Sequence, residues 1–144
     1  MDLTQTEADA LLAMEKVRAN DDAYDFPGVA RGVTIPLVSS NKREDFLLDM
    51  TRGRIELRQV TYQNRARAIV VLARLDIAGP PHTNPDGVQI ECPHIHLYRE
   101  DFGDKWAFPV PTQFSNLADI WQALQDFMSF INLTSPPNIQ RNMV

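Results

Sequence analysis

Two stretches of the chain carry a helical period of apolar residues, and several between them alternate. Near the start, Thr4-Gln5-Thr6-Glu7 has capping-box spacing, with a hydroxyl for the first free amides and a Glu to reach back. It opens a helix expected from Gln5 to Ala19, with Ala8, Leu11, Leu12 and Met14 toward a packed surface. Near the end, Leu117, Ile120, Trp121, Leu124, Phe127, Met128 and Ile131 recur at helical spacing behind Asn116, a candidate cap. That broad stripe reads as core.

The middle reads as strands. Val33–Ser39 is a short β-like run, and Pro36 removes one ladder donor, which places it at a sheet edge. Asp45–Met50 and Arg54–Tyr62 flank Thr51-Arg52-Gly53 as a hairpin. The alternation of Arg54–Arg58 slips at Gln59-Val60, which predicts a bulge there. Gln63–Arg67 reads as a second polar turn, and Ala68–Ile77 as a central strand. His94–Tyr98 and Lys105–Val110 supply two more strands, the latter ended by Pro109 and Pro111. Asn20–Gly32 reads as a connector and Thr134–Val144 as an irregular tail. The expected fold is a single α+β domain over 1–144. It has a curved antiparallel sheet of about five or six strands, with an N-terminal and a C-terminal helix packed on one face.

Composition narrows the class. No apolar run approaches the roughly 18 residues of a membrane span, and the acidic start lacks the marks of a signal peptide, so a cytoplasmic protein is expected. One cysteine excludes an internal disulfide framework and a CxxC metal site. A net charge of −5 argues mildly against broad non-specific nucleic-acid binding. The charge is uneven, with an acidic segment before Gly28 and a basic one over 42–76. The two complement each other within a fold, or the basic segment forms an anion-binding face.

The chemistry concentrates in Gly79–Phe108, which holds His82, His94 and His96 and the lone Cys92. On a strand, side chains two apart share a face, so His94, His96 and Tyr98 point one way and Ile95 and Leu97 the other. That alternation predicts one wall of a site.

The runs TYQNRAR (61–67), RLDIAGPPHTNPDG (74–87), PHIHLYRE (93–100) and GDKWA (103–107) resemble a family of small bacterial proteins carried as a domain of unknown function. The opening LTQTEADALLAMEK and the stretch FLLDMTRGRIEL are similar to the same family, so the resemblance covers nearly the whole chain. It implies a bacterial source with a phage or mobile-element neighbourhood, and it supplies no activity.

Three readings of the residues follow. The sharpest is a metal-independent ribonuclease-like or phosphodiesterase-like site. His82, His94 and His96 there serve as base and acid, with Tyr98 as a further proton carrier. Arg74 and Lys105 supply positive charge, while Arg99 faces away from the histidines. Tyr62, Trp106 and Phe108 stack bases, and Arg65 and Arg67, at a hairpin end, meet phosphate. A single His-x-His does not fit the phosphoesterases built on two His-x-Thr/Ser motifs. The alternative is a non-catalytic module of antitoxin, inhibitor or regulatory type, with a rigid His/Tyr/Trp surface for a protein partner. The third reading is a metal site. His94 and His96 deliver two imidazoles, His82 or Asp86 completes the set, and Asp76 serves as an outer partner to Zn²⁺ or Fe²⁺. Asp86-Gly87 and Gly103-Asp104-Lys105 read first as turns, and Cys92 as a small packed residue. No Walker-type or GxGxxG loop is present, so no nucleotide cofactor is expected.

Overall fold

The computed structural model describes residues 2–141. The protein is α+β, with helices α1 (Gln5–Ala13) and α2 (Ile120–Phe130) near the two ends of the chain. Between and around them lie β1 (Lys16–Arg18), β2 (Ala23–Asp25), β3 (Gly32–Ser39), β4 (Asp45–Arg52), β5 (Val60–Ala66) and β6 (Val70–Asp76). These are followed by β7 (His82–Thr83), β8 (Gln89–Ile90), β9 (His94–Leu97), β10 (Ala107–Pro109), β11 (Leu133–Ser135) and β12 (Asn138–Gln140). An eight-stranded sheet runs in the order β10-β9-β6-β5-β4-β3-β1-β11, and its neighbours are antiparallel except β1 with β11. Two small pairs, β12-β2 and β7-β8, complete the described residues. Among those residues no helix is long and apolar enough to cross a membrane.

The sheet has two chemically distinct faces, and the register shows why. Met50, Tyr62, Leu75 and Ile95 lie opposite one another in a single cross-strand row, and all four are buried. Against this row packs α2, whose Phe127 ring lies 6.2 Å from that of Tyr62. The Tyr62 hydroxyl donates to the Ile120 carbonyl at 2.6 Å, and burial drives its pKa strongly upward from the usual range. On either side of the apolar row, pointing to the other face, run Asp49–Gln63–Arg74–His96 and Thr51–Thr61–Asp76–His94.

Several elements depart from the sequence reading for identifiable reasons. The capping box of Thr4 and Glu7 forms, but α1 ends at Ala13 and Lys16–Arg18 is a strand rather than the end of a long helix. Lys16 is fully buried, and its Nζ donates to the carbonyls of Leu11, Leu12, Met14 and Ile131 at 2.8–3.0 Å. The ammonium thus caps the free carbonyls of α1 and ties them to the end of α2. Burial brings its pKa down to about 8. Asp119, not Asn116, caps α2, accepting from the amides of Trp121 and Gln122.

The alternating run after Gly53 is a loop and not a strand. Ile55 is 96% and Leu57 69% exposed, so the pattern has no surface to bury against. Gln63–Arg67 is conversely mostly strand rather than turn, because its polar side chains find partners across the sheet. Gln63 and Arg65 both donate to Asp49, and Asn64 donates to the Leu47 carbonyl. The turn falls at Arg67-Ala68, both at positive φ, and the register irregularity lies at Asn64/Arg65 rather than Gln59-Val60. Pro36 is not on an edge strand, since β3 has β4 on one side and β1 on the other. The three residues of β1 reach only as far as Leu37, however, so nothing pairs with Pro36 on that side. Asn20–Gly32 contains β2, and the tail contains β11 and β12, which pair in parallel with β1 and β2. Residues 142–144 of that tail lie outside the described residues.

Candidate functional site

The site begins with a register. Strands β6 and β9 pair so that Arg74 lies opposite His96 and Asp76 opposite His94. Arg-x-Asp and His-x-His therefore meet on one face, each pair two residues apart on its own strand. His94 and His96 are buried, at 2% and 1% exposure, with ring centroids 4.9 Å apart. His82, on the β7-β8 hairpin, adds a third ring 4.6 Å from His96 and 6.1 Å from His94.

The hairpin is held in place by Asn84, a buried residue. Its side chain donates to the Ala107 carbonyl at 2.9 Å and accepts from the Ala107 amide at 2.8 Å, as a neighbouring strand would. The turn after β9, closed by Gly103 at φ +62, positions Asp104. The Asp104 carbonyl accepts from His96 Nδ1 at 2.8 Å, and its carboxylate accepts from Arg74 Nη1 at 3.1 Å.

These contacts determine which ring nitrogens carry protons. A carbonyl only accepts, so His96 Nδ1 is a donor toward Asp104. His94 Nδ1 likewise donates toward the carbonyls of Ile90 and Glu91 at 3.2 and 3.3 Å. His82 Nε2 donates to the Lys105 carbonyl at 2.7 Å. In neutral His94 and His96, Nε2 then bears a lone pair, and both Nε2 atoms face the same carboxylate oxygen. Asp76 Oδ2 lies 3.1 Å from His94 Nε2 and 3.3 Å from His96 Nε2. One ligand atom from each of Asp76, His94 and His96 falls within 4.8 Å of the others. Arg74 borders the group, with Nη2 3.0 Å from His96 Nε2 and Nε 3.2 Å from Asp76 Oδ1. Burial alone would raise the Asp76 pKa, but a hydrogen bond from His96, made only when His96 Nε2 also carries a proton, and the Arg74 charge outweigh it and hold the carboxyl at about 2. The cluster opens on a cavity of about 240 Å³ whose wall also includes Gln59, Thr61 and Cys92. Cys92 Sγ lies 3.6 Å from His94 Nδ1; burial, then Asp76 and Glu91, push its thiol up, away from a reactive thiolate.

Not every sequence-predicted residue arrives here. Asp76, expected as an outer partner, brings a carboxylate oxygen within 4.8 Å of the His94 and His96 nitrogens, while His82 lines the same cavity with its Nε2 on the Lys105 carbonyl. Asp86 is exposed and accepts from the Val88 amide within its own turn. Tyr98 is committed to the N-terminal segment, its hydroxyl donating to the Leu3 carbonyl and accepting from the Leu3 amide. Lys105 contributes its carbonyl, while its side chain is exposed. Trp106 and Phe108 flank Ala107, the residue opposite His96, and so point to the other face. Trp106 lies beneath the Arg99 guanidinium, 4.7 Å away. Tyr62 is core, and Arg65 and Arg67 pair with Asp49 and Glu44 toward the far end of β5. Neither Asn84 nor Asp104 was expected at the site; the turn motifs around them were the available signal.

The chain belongs to a family of unknown function, DUF6978. The family's model spans residues 3–133, which include both helices and every residue of the site. No curated protein and no solved structure matches the chain. The family description carries no reaction, so the chemistry is argued from the cluster itself.

Proposed function

We propose that the chain holds one divalent transition-metal ion between Asp76, His94 and His96 and uses it to hydrolyse a phosphate-bearing substrate in the adjoining cavity. The observation that supports this is the direction of two lone pairs. Both imidazoles spend Nδ1–H on backbone carbonyls, the usual outer arrangement of a metal-binding histidine, and turn Nε2 toward Asp76. Three acceptors gathered within 4.8 Å repel one another unless a cation lies among them. Two imidazoles and one carboxylate suit zinc or ferrous iron and leave coordination positions open. Such an ion polarises a phosphoryl oxygen or a water. Arg74, on the same wall, supplies fixed positive charge for an anionic group. The test is hydrolysis of bis(4-nitrophenyl) phosphate alongside metal analysis. His94→Ala should lose both metal and activity while keeping the wild-type circular dichroism spectrum. Activity that survives in His94→Ala would defeat the proposal.

One contact favours a second reading. Arg74 Nη2, 3.0 Å from His96 Nε2, provides a positive donor where a metal ion would sit. A metal-free site would then carry a second proton on His94 toward Asp76, and the histidines would act as acid and base on RNA. RNA cleavage that persists in excess chelator and disappears in His94→Ala would select this reading.

A further inference from the structure

A second cavity lies on the other face of the sheet. Arg52 sits one residue beyond Thr51, whose row leads to Asp76 and His94, so its side chain emerges on the opposite side. Its guanidinium lies 5.8 Å from the Phe26 ring, which packs edge-on against Tyr62 and Trp121. With Asp25, Phe26, Pro27, Val29, Arg31 and Leu57 it lines a cavity of about 530 Å³, within the size range of small-molecule pockets.

Arg52 differs from the arginines that surround the polar face. Arg65, Arg67 and Arg74 each have a carboxylate within 4 Å; among the described residues Arg52 and Arg31 have none. Of Arg52's donors, Nη2 meets the Leu57 carbonyl at 2.9 Å and Nη1 reaches the Pro27 carbonyl only at 3.4 Å. Its Nε is buried with no acceptor at all. A half-buried guanidinium with donors to spare is costly until an anion meets it. The wall beside it carries apolar side chains together with the exposed Asp25, which has no ion pair to Arg52, and Val29, at 48% exposure, and Leu57 are left facing water.

We infer that this cavity binds a small organic acid, with its carboxylate on the Arg52 guanidinium, Arg31 at the mouth, and its apolar body against Phe26, Pro27, Val29 and Leu57. The charge asks for a planar anion and the walls ask for hydrocarbon. The site is independent of the histidine cluster.

The test is an NMR titration of the whole chain with 3-phenylpropionate, following the side-chain N–H signals of Arg52 and Trp121. The neutral amide of the same acid and a peptide ending in a free C-terminal phenylalanine serve as comparisons. The acid should shift both signals and bind at least about tenfold tighter than the amide. Arg52→Met should abolish that preference. Val29→Glu places a carboxylate at the exposed rim, leaves the guanidinium intact, and should weaken the acid by at least about tenfold. Equal binding of acid and amide would overturn the inference, as would wild-type affinity in Val29→Glu. No shift at millimolar acid would do the same. Tighter binding of the peptide would replace the small acid with a chain terminus as the occupant.

Discussion

Asp49 and Asp76 lie on the same face of the same sheet, each beside an arginine, and they do opposite things with their lone pairs. Asp49 Oδ1 accepts from Thr34 at 2.7 Å and Arg65 Nη2 at 2.8 Å; Oδ2 accepts from Arg65 Nε at 2.7 Å and Gln63 at 2.9 Å. Every partner is a donor, and the arginine grips with both arms. Around Asp76 the arginine contacts stretch to 3.2 and 3.4 Å, and Oδ2 faces two imidazole nitrogens whose protons are spent elsewhere. The first carboxylate is satisfied and structural. The second has longer arginine contacts and two imidazole nitrogens beside it, which is the contrast on which the proposed metal site rests. Charge and burial alone do not separate the two; the donor–acceptor count does.

The largest separation between them should appear in metal affinity. Asp76→Asn is expected to weaken zinc binding by more than about 100-fold, beyond the cost of losing an outer partner, while Asp49→Asn leaves it unchanged. Isothermal titration of both variants checks this. Stability should respond in the reverse order. Asp49→Asn leaves the half-buried Arg65 without its carboxylate and should cost about 2–3 kcal/mol in urea unfolding, with m unchanged.

Acid should reveal the Asp76 environment. Its folded pKa is depressed to about 2, so its contribution is fully present above the ordinary value of 3.8 and is lost as pH falls through 2. In metal-free protein the advantage of wild type over Asp76→Asn should therefore be about 2 kcal/mol at pH 5 and vanish near pH 2. An advantage that grew on acidification would contradict the assignment. The smallest effects come from the arginines. Arg65→Lys exchanges a two-armed grip for a point charge and should cost about 1 kcal/mol, whereas Arg74→Lys, with longer contacts, should cost less than about 0.5 kcal/mol.

Much of this was legible in the chain. The apolar period of α2, the capping box of α1 and the strand character of Val70–Asp76 are local patterns, and local patterns survive into the fold. The shared face of His94 and His96 was legible because alternation is a backbone property, whereas Tyr98, expected on that face, turns to Leu3. Asp76 was read as an outer partner because its place depends on register, and register is set by which strands pair. Lys16 and Gln63–Arg67 misled for a related reason. A polar side chain reads as surface or turn until the carbonyls or carboxylates that satisfy it are brought from elsewhere in the chain. Ile55 and Leu57 misled in reverse, since alternation predicts a strand only where a surface exists to bury one face.

The most direct test of the account is the metal content of the purified protein, with neither metal nor chelator added, for wild type, Asp49→Asn and Asp76→Asn. The account predicts about one equivalent of a divalent transition metal in the first two and almost none in the third. Wild-type protein that carries no metal and takes up none on titration, or equal metal in Asp76→Asn, would contradict it.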